Sequence, residues 1–276
     1  MVRSTFWYTL ITVFVIVCLS LVYYYSKYLQ DLNGYTILTW WNYYLDDIRN
    51  AQNALDAASP QIPSLQLASR SMHSGARRLE TLIQINHDTI LAEVKSLLAT
   101  GYRGVKMSEI DPVQASTFHK QPGWITLWVK FIDCWAGTAS SLPTLRRIVD
   151  IMGEDISLLH VSIFLPGTSL PRHMGISKGV LRYHYGLEIP EGQTGMTIND
   201  QPFRWTQGEG VVFDDTLPHT SFNHTKNPRM VIFADLPRDL NPIMDRINWT
   251  MMRLAQRTRH VQKIVDRLSA EGKSFN

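Results

Sequence analysis

The stretch Leu158–Gly192, LLHVSIFLPGTSLPRHMGISKGVLRYHYGLEIPEG, decides the fold. N-terminal to it, apolar residues recur at helical spacing. From Leu158 onward they recur every second residue, the period of a pleated strand. One strand is expected at Leu158–Leu165, stopped by Pro166-Gly167-Thr168, and a second at Val180–Ile189, stopped by Pro190-Glu191-Gly192. Further on, Met196–Asn199 and Phe203–Thr206 flank Asp200-Gln201 as a short hairpin. Gly210–Phe213 and Ser221–Asn223 are brief strands, and Arg229–Ala234 closes the set before Pro237 and Pro242. Six or seven short strands with turn residues at short intervals predict an antiparallel barrel or a double-sheet jelly roll.

Alternation also sorts the polar residues. In Leu181–Leu187, Arg182, His184 and Gly186 share one face, and Leu181, Tyr183, Tyr185 and Leu187 share the other. The apolar face seeks the core, so the polar face lines solvent or a cavity, with Gly186 leaving room on it. In the first strand His160, Ser162 and Phe164 share a face; in the last, Arg229, Val231 and Phe233 do. His173 and His219 fall where loops meet strands, and Arg229 follows His219 by ten residues. Buried histidines and arginines are costly unless something binds them. Imidazoles suit a metal such as iron, and an arginine beside a hydroxyl suits a bidentate carboxylate. The plain rival is an ordinary solvated sheet face.

Outward from this core, Leu79 to Thr100 has the spacing of an amphipathic helix broken near His87 and Asp88, and Leu142–Met152 suits a short helix. Residues 101–135, with Trp124, Trp128 and Trp135, read as a Gly- and Pro-punctuated region. A single basic helix is expected from Ile243 to Leu268, either packed with a solvated face or lying on an anionic membrane. Residues 6–25, FWYTLITVFVIVCLSLVYYY, are 20 residues without a charge, long enough to span a hydrocarbon core, and no signal-peptide cleavage pattern follows. A retained single-pass membrane anchor is therefore expected, with no preferred orientation. The segments expected are a tail at 1–5, the anchor at 6–25, a juxtamembrane segment and linker at 26–80, a domain containing the predicted strands at 81–240 and a basic C-terminal helix at 241–276.

The remaining composition excludes several classes. Hydrophobic content of 45% and charged content of 18% describe a folded chain. A net charge of +3 is too small to argue for nucleic acid. Cys18 and Cys134 are the only cysteines, and Cys18 lies in the apolar run, so neither a disulfide framework nor a cysteine zinc cluster is expected. Asn223-His224-Thr225 and Asn248-Trp249-Thr250 are glycosylation sequons of little weight.

The motifs His160–Thr168, His173-x-Gly175, Leu181–Leu187 and Val212-Phe213-Asp214-Asp215, with His219 and Arg229, occur in an order that resembles the aspartyl/asparaginyl β-hydroxylase family. The resemblance covers about residues 80–240. It implies a double-stranded β-helix (jelly-roll) dioxygenase domain with flanking helices; with the transmembrane helix read from residues 6–25, the chain is expected to be α+β. It implies Fe(II), O₂ and 2-oxoglutarate, whose oxidative decarboxylation to succinate and CO₂ accompanies hydroxylation of an unactivated C–H. By the same resemblance His173 and His219 are the iron ligands. Ser162 and Arg229 clamp the distal carboxylate of 2-oxoglutarate. Arg182 and His184 contact its metal-chelating end or the substrate, and Asp215 holds an iron-bound water. Gly175 stands where many 2-oxoglutarate dioxygenases carry a third, carboxylate ligand, an absence this family shares. The substrate implied is a peptidyl Asp or Asn, or a lipid acyl chain as in the bacterial lipid A hydroxylase-like branch. The layout of anchor, short linker and basic helix is more similar to that lipid branch. The rival from another class is a non-catalytic jelly-roll scaffold tethered to a membrane.

Overall fold

The computed structural model describes Ser20 and residues 36–42, 74–110, 123–238 and 242–271. Apart from Ser20, the expected anchor at 6–25 lies outside them, as does most of the linker. Among the described residues no helix is long and apolar enough to cross a membrane. In chain order the elements are α1 (36–42), α2 (Ser74–Ile85), α3 (His87–Ala99), β1 (Val105–Lys106), α4 (Met107–Ile110), β2 (Trp124–Phe131), β3 (Cys134–Trp135) and α5 (Pro143–Met152). Then follow β4 (Leu158–Phe164), β5 (Thr168–His173), β6 (Val180–Glu188), β7 (Thr194–Ile198), β8 (Gln201–Phe203), β9 (Gly210–Phe213), β10 (His219–Asn223), β11 (Arg229–Pro237), α6 (Pro242–Gln256) and α7 (Arg259–Ala270).

The described part is thus a mixture of helices and antiparallel sheet. The larger sheet runs β1-β2-β4-β11-β6-β9, with β3 beside β2; the smaller runs β5-β10-β7-β8. From β4 onward the chain alternates between the sheets, placing β4, β6, β9 and β11 in one and β5, β7, β8 and β10 in the other. That interleaving is the strand order of a jelly roll. The inner faces meet through Met196 and Ile198 of the small sheet, packed with Phe213 and Val231 of the large one and with Trp205. The outer face of the large sheet is covered by α2, α3 and α5. Leu79, Ile83, Ile90, Val94, Leu145 and Ile148 bury against Val161, Tyr183, Tyr185 and Ile232. Each such side chain contributes about 1.5–3 kcal/mol through area removed from water. The apolar face of Leu181–Leu187 therefore does face the core, and the Arg182/His184 face looks into the jelly roll.

Three sequence expectations need correction. Residues 124–131 form a full strand, because Trp124, Thr126 and Trp128 face inward while Leu127 and Val129 are buried on the helix side. A strand covered on both faces loses the apolar–polar alternation. The C-terminal helix is two helices. Thr258 adopts an extended conformation and its hydroxyl accepts a hydrogen bond from Val261 N, so α7 starts anew with its own N-cap. The space beside Gly186 is occupied by backbone: Gly208 N donates to Gly186 O (2.9 Å) and Gly186 N to Glu209 O (3.0 Å). The expected break near His87 is found at Asn86, whose side-chain amide donates back to Leu82 O (2.8 Å).

Candidate active site

His173 ends β5 and His219 opens β10, and the two are register partners across the small sheet. Their rings lie 4.1 Å apart, centroid to centroid. Each Nδ1 is hydrogen-bonded to the carbonyl two residues earlier, His173 to Pro171 O (2.8 Å) and His219 to Leu217 O (2.9 Å). A carbonyl only accepts, so both Nδ1 atoms carry the proton and both Nε2 atoms keep a lone pair. Burial pushes each imidazole down to about 4; the neighbouring His219 adds to this at His173, and the backbone carbonyls only partly oppose it. Both rings are therefore neutral near pH 7, the form in which imidazole binds a metal. Among the described residues no third His, Cys, Asp or Glu joins them in a metal-holding group.

Asp215 takes the space that a side chain on residue 175 would occupy. A Cβ at Gly175 would fall into the Asp215 carboxylate, and Gly175 N donates to Asp215 O (2.7 Å). The missing carboxylate of His173-x-Gly175 thus makes room for another one. Asp215 is almost fully buried, and its Oδ1 has no hydrogen-bond partner. Its Oδ2 meets Arg182 Nη2 at 2.7 Å.

Arg182 stands opposite Asp235 in the β6–β11 register, and its Nε donates to Asp235 Oδ1 at 2.6 Å. Its guanidinium also lies 4.0 Å above the Phe233 ring. Burial opposes the Arg182 charge, and the two carboxylates more than offset that, so the group stays cationic. Burial raises both Asp215 and Asp235, because one guanidinium cannot fully satisfy two carboxylates. Sequence reading missed Asp235. The signal was present, since continuing the alternation Arg229, Val231, Phe233 by one step reaches it.

Arg229 is 1% exposed, with Nε and Nη2 lacking any partner, and its guanidinium lies 3.9 Å over Phe164 and 4.5 Å over Trp205. Burial lowers it to about 9. An orphaned buried cation is expensive and calls for an anion. Two residues along β4 from Phe164, the register partner of Arg229, Ser162 Oγ accepts from Trp124 Nε1 (3.0 Å), which leaves the Ser162 hydroxyl proton free to donate. Trp124 therefore orients Ser162. His184, between Phe213 and Phe233, has no partner for either ring nitrogen; burial, with Arg182 and Arg229 nearby, holds it well below its ordinary value. The structure thus gathers six of the seven candidates on the strands of the jelly roll and brings the seventh, Asp215, to them from the loop between β9 and β10. His173, His219, Asp215 and Arg182 border one open cavity of about 190 Å³, and Ser162, His184 and Arg229 are buried outside its wall.

Both sequon asparagines are fully buried, Asn223 donating to Phe164 O (2.9 Å) and Asn248 to Gly179 O (2.8 Å). Neither can accept a glycan in this fold.

A jelly roll carrying two neutral histidines, a buried carboxylate and an orphaned buried arginine defines a class of enzyme-like sites. The comparisons narrow it. The family described as Aspartyl/Asparaginyl beta-hydroxylase matches residues 84–239, and this chain belongs to that family. It is 36% identical over 202 residues to the ornithine lipid ester-linked acyl 2-hydroxylase of Rhizobium tropici, covering 70% of this chain and 69% of that one. It is 25% identical over 114 residues to the aspartyl/asparaginyl beta-hydroxylase of Mus musculus, covering 40% of this chain but only 15% of that protein. Among solved structures, KdgF from Halomonas sp. overlaps 43% of this chain and 83% of its own, at 14% identity and a TM-score of 0.29, too slight an overlap to argue from.

Proposed function

We propose that this protein is an Fe(II)- and 2-oxoglutarate-dependent dioxygenase that hydroxylates an unactivated C–H of a peptidyl Asp or Asn or of a membrane-lipid acyl chain. The observation that carries the reading is the pairing of two neutral, converging imidazoles with a buried arginine that lacks an anion. The donor set fits the groups. His173 and His219 would hold Fe(II) through Nε2, and Arg229 with the Ser162 hydroxyl would bind the distal carboxylate of 2-oxoglutarate. When bound, iron with 2-oxoglutarate and O₂ supplies the oxidising chemistry, giving succinate and CO₂.

The protein's own residues do the rest. The carbonyls of Pro171 and Leu217 fix the tautomer of each histidine. Asp215, held by Arg182 and by the space at Gly175, keeps its Oδ1 available to a water beside the histidines. His184, kept neutral by burial and by the nearby Arg182 and Arg229, adds no further positive charge beside them. Phe164, Trp205 and Phe233 exclude water from the arginines, which strengthens their hold on an anion.

The remaining segments follow the sequence reading: a single-pass anchor at 6–25, a linker at 26–80, the dioxygenase domain at 81–240 and the C-terminal basic segment at 241–276, with no nucleic-acid partner. The test is succinate formation from 2-oxoglutarate by the purified full chain, with and without Fe(II). Iron-dependent succinate that disappears in His173→Ala and His219→Ala supports the proposal; equal turnover in either variant refutes it.

A further inference from the structure

The loop between β5 and β6, residues 174–179, follows directly on His173 and is an irregular part of the candidate active site. Met174, Gly175, Ile176 and Ser177 line the cavity, and the Asp215 carboxylate packs against Gly175. An irregular loop must find partners for its backbone groups, and here they come from distant parts of the chain. At the near end Gly175 N donates to Asp215 O (2.7 Å). In the middle the Asn42 side chain bridges two groups: its Nδ2 donates to Ile176 O (2.8 Å), and its Oδ1 accepts from Lys178 N (2.7 Å). At the far end Arg238 Nε donates to Lys178 O (2.9 Å). Gly179 O accepts from Arg238 N (3.0 Å) and from Asn248 Nδ2 (2.8 Å).

Three of these bonds come from side chains outside residues 84–239, the family's span: two from Asn42 on α1 and one from Asn248 on α6. The two helices are joined, because Trp41 Nε1 donates to Asn248 Oδ1 (2.7 Å). Trp41 and Asn248 are both buried. The approach to the loop is close. A Cβ on Gly179 would lie 2.2 Å from Asn248 Oδ1 and 3.3 Å from Trp41 Nε1, so only glycine leaves room for this pair. An amide that meets one loop with both its nitrogen and its oxygen fixes the loop's path as a neighbouring strand would. Buried amides are costly unless paired, so the loop and the two asparagines depend on one another. Both helices also stand at the cavity itself, α1 through Leu38 and α6 through Met252 and Ala255. Helices that merely covered the jelly roll would need apolar contacts and no amides aimed at the one loop that carries on from His173.

We propose that Asn42 and Asn248 are positioning residues of the active site, holding the 174–179 loop so that His173 stays opposite His219 and Gly175 stays against Asp215. The site is therefore completed by α1 and α6, from either side of residues 84–239. This rests on the hydroxylase reading for the metal, though not for the loop or the histidine ring. Neither asparagine takes part in the reaction; each acts through the loop backbone.

The experiment uses the full chain, first metal-free and then with Fe(II) under anaerobic conditions. Hydrogen exchange follows the loop amides. A proton–carbon spectrum of histidine-labelled protein follows the His173 and His219 rings, each assigned by its loss in the alanine variant. In Asn42→Ala and in Asn248→Ala the loop amides should exchange faster and the His173 resonances should shift or broaden, while amides of β4 and β11 keep their protection. Asn42→Asp retains an acceptor for Lys178 N and should restore protection of that amide. Because Asn248 is fully buried, Trp41→Phe is the milder probe of its contact: the ring stays, the donor to Asn248 goes, and the same readings should move less. Fe(II) affinity should fall about tenfold in both alanine variants, the low end of what losing a supporting contact behind a metal ligand costs. Thr258→Ala, which removes the N-cap of α7, controls for a general loss of stability and should move none of these readings. Loop exchange or His173 resonances that stay as in wild type in either alanine variant overturn the proposal. Fe(II) affinity equal to wild type in a variant whose loop is loosened overturns it as well, and so do equal changes in Thr258→Ala. Wild-type protein that binds no Fe(II) sinks the hydroxylase reading, and the metal-free spectra still decide whether the asparagines place His173.

Discussion

Replacing Gly175 by alanine should expose how tightly the missing ligand position is coupled to Asp215. A Cβ there would lie 2.5 Å from Asp215 Oδ1 and closer still to Oδ2; even the Oδ1 contact is 0.9 Å short of the 3.4 Å at which ordinary contact begins. The backbone on both sides is tied by the Gly175 N to Asp215 O bond of 2.7 Å, so the carboxylate must move. A shift of that size can stretch the 2.7 Å contact with Arg182 Nη2 beyond hydrogen-bond length. Overpacking of this kind costs about 1–3 kcal/mol, a few degrees in Tm for a chain of this size. The assay is a thermal melt of the apoprotein for Gly175→Ala, Asp215→Ala and the double variant. With Asp215 shortened the clash disappears, so the double variant should melt near Asp215→Ala alone, with a coupling of about 1–2 kcal/mol. If Gly175→Ala costs nothing, or costs the same in both backgrounds, the idea that Gly175 houses Asp215 is wrong.

Further outcomes are expected. Arg229→Met should leave the apoprotein as stable or more stable, since it removes a buried, unpartnered charge, and should abolish the Tm rise that 2-oxoglutarate gives wild type. Apoprotein stability should fall with acid. Burial holds His160 at about 3 and His184 well below its ordinary value, whereas both titrate near 6.5 when unfolded. The unfolded chain therefore binds more protons below pH 6.5, and each of these histidines takes away up to about 1.4 kcal/mol per pH unit as pH falls through that window. Urea melts between pH 7 and pH 5 would show it, and a flat profile would contradict the burial of neutral rings. Thr258→Ala should cost about 1 kcal/mol by removing the N-cap of α7, read as a shift in urea midpoint with unchanged slope.

Much of this site was legible because strand periodicity is a hard constraint. Once Leu181–Leu187 is a strand, Arg182 and His184 must share a face, and packing decides which face is inside. The order of motifs also placed His173 and His219 at strand ends, where the register pairs them. Other features were hidden for physical reasons. Trp124–Phe131 is buried on both faces, so its apolar run carries no period. Asp235 lay one residue beyond the predicted end of β11 at Ala234, and its meaning depends on Arg182 being opposite in register, a long-range fact. The break at Thr258 was readable as a capping threonine inside a helical pattern, but the apolar spacing of the two helices masked it. That Gly175 and Asp215 share one volume depends on two loops meeting, which no local pattern encodes.

The central claim is an iron site made by two histidines, and the most direct measurement is anaerobic Fe(II) binding to the purified full chain, with and without 2-oxoglutarate. One iron per chain should bind, more tightly when 2-oxoglutarate is present, and binding should be lost in His173→Ala and His219→Ala while both variants keep the wild-type circular dichroism spectrum. Arg229→Met should retain iron and lose the tightening by 2-oxoglutarate. Iron that binds equally well without either histidine, in folded protein, would contradict the account.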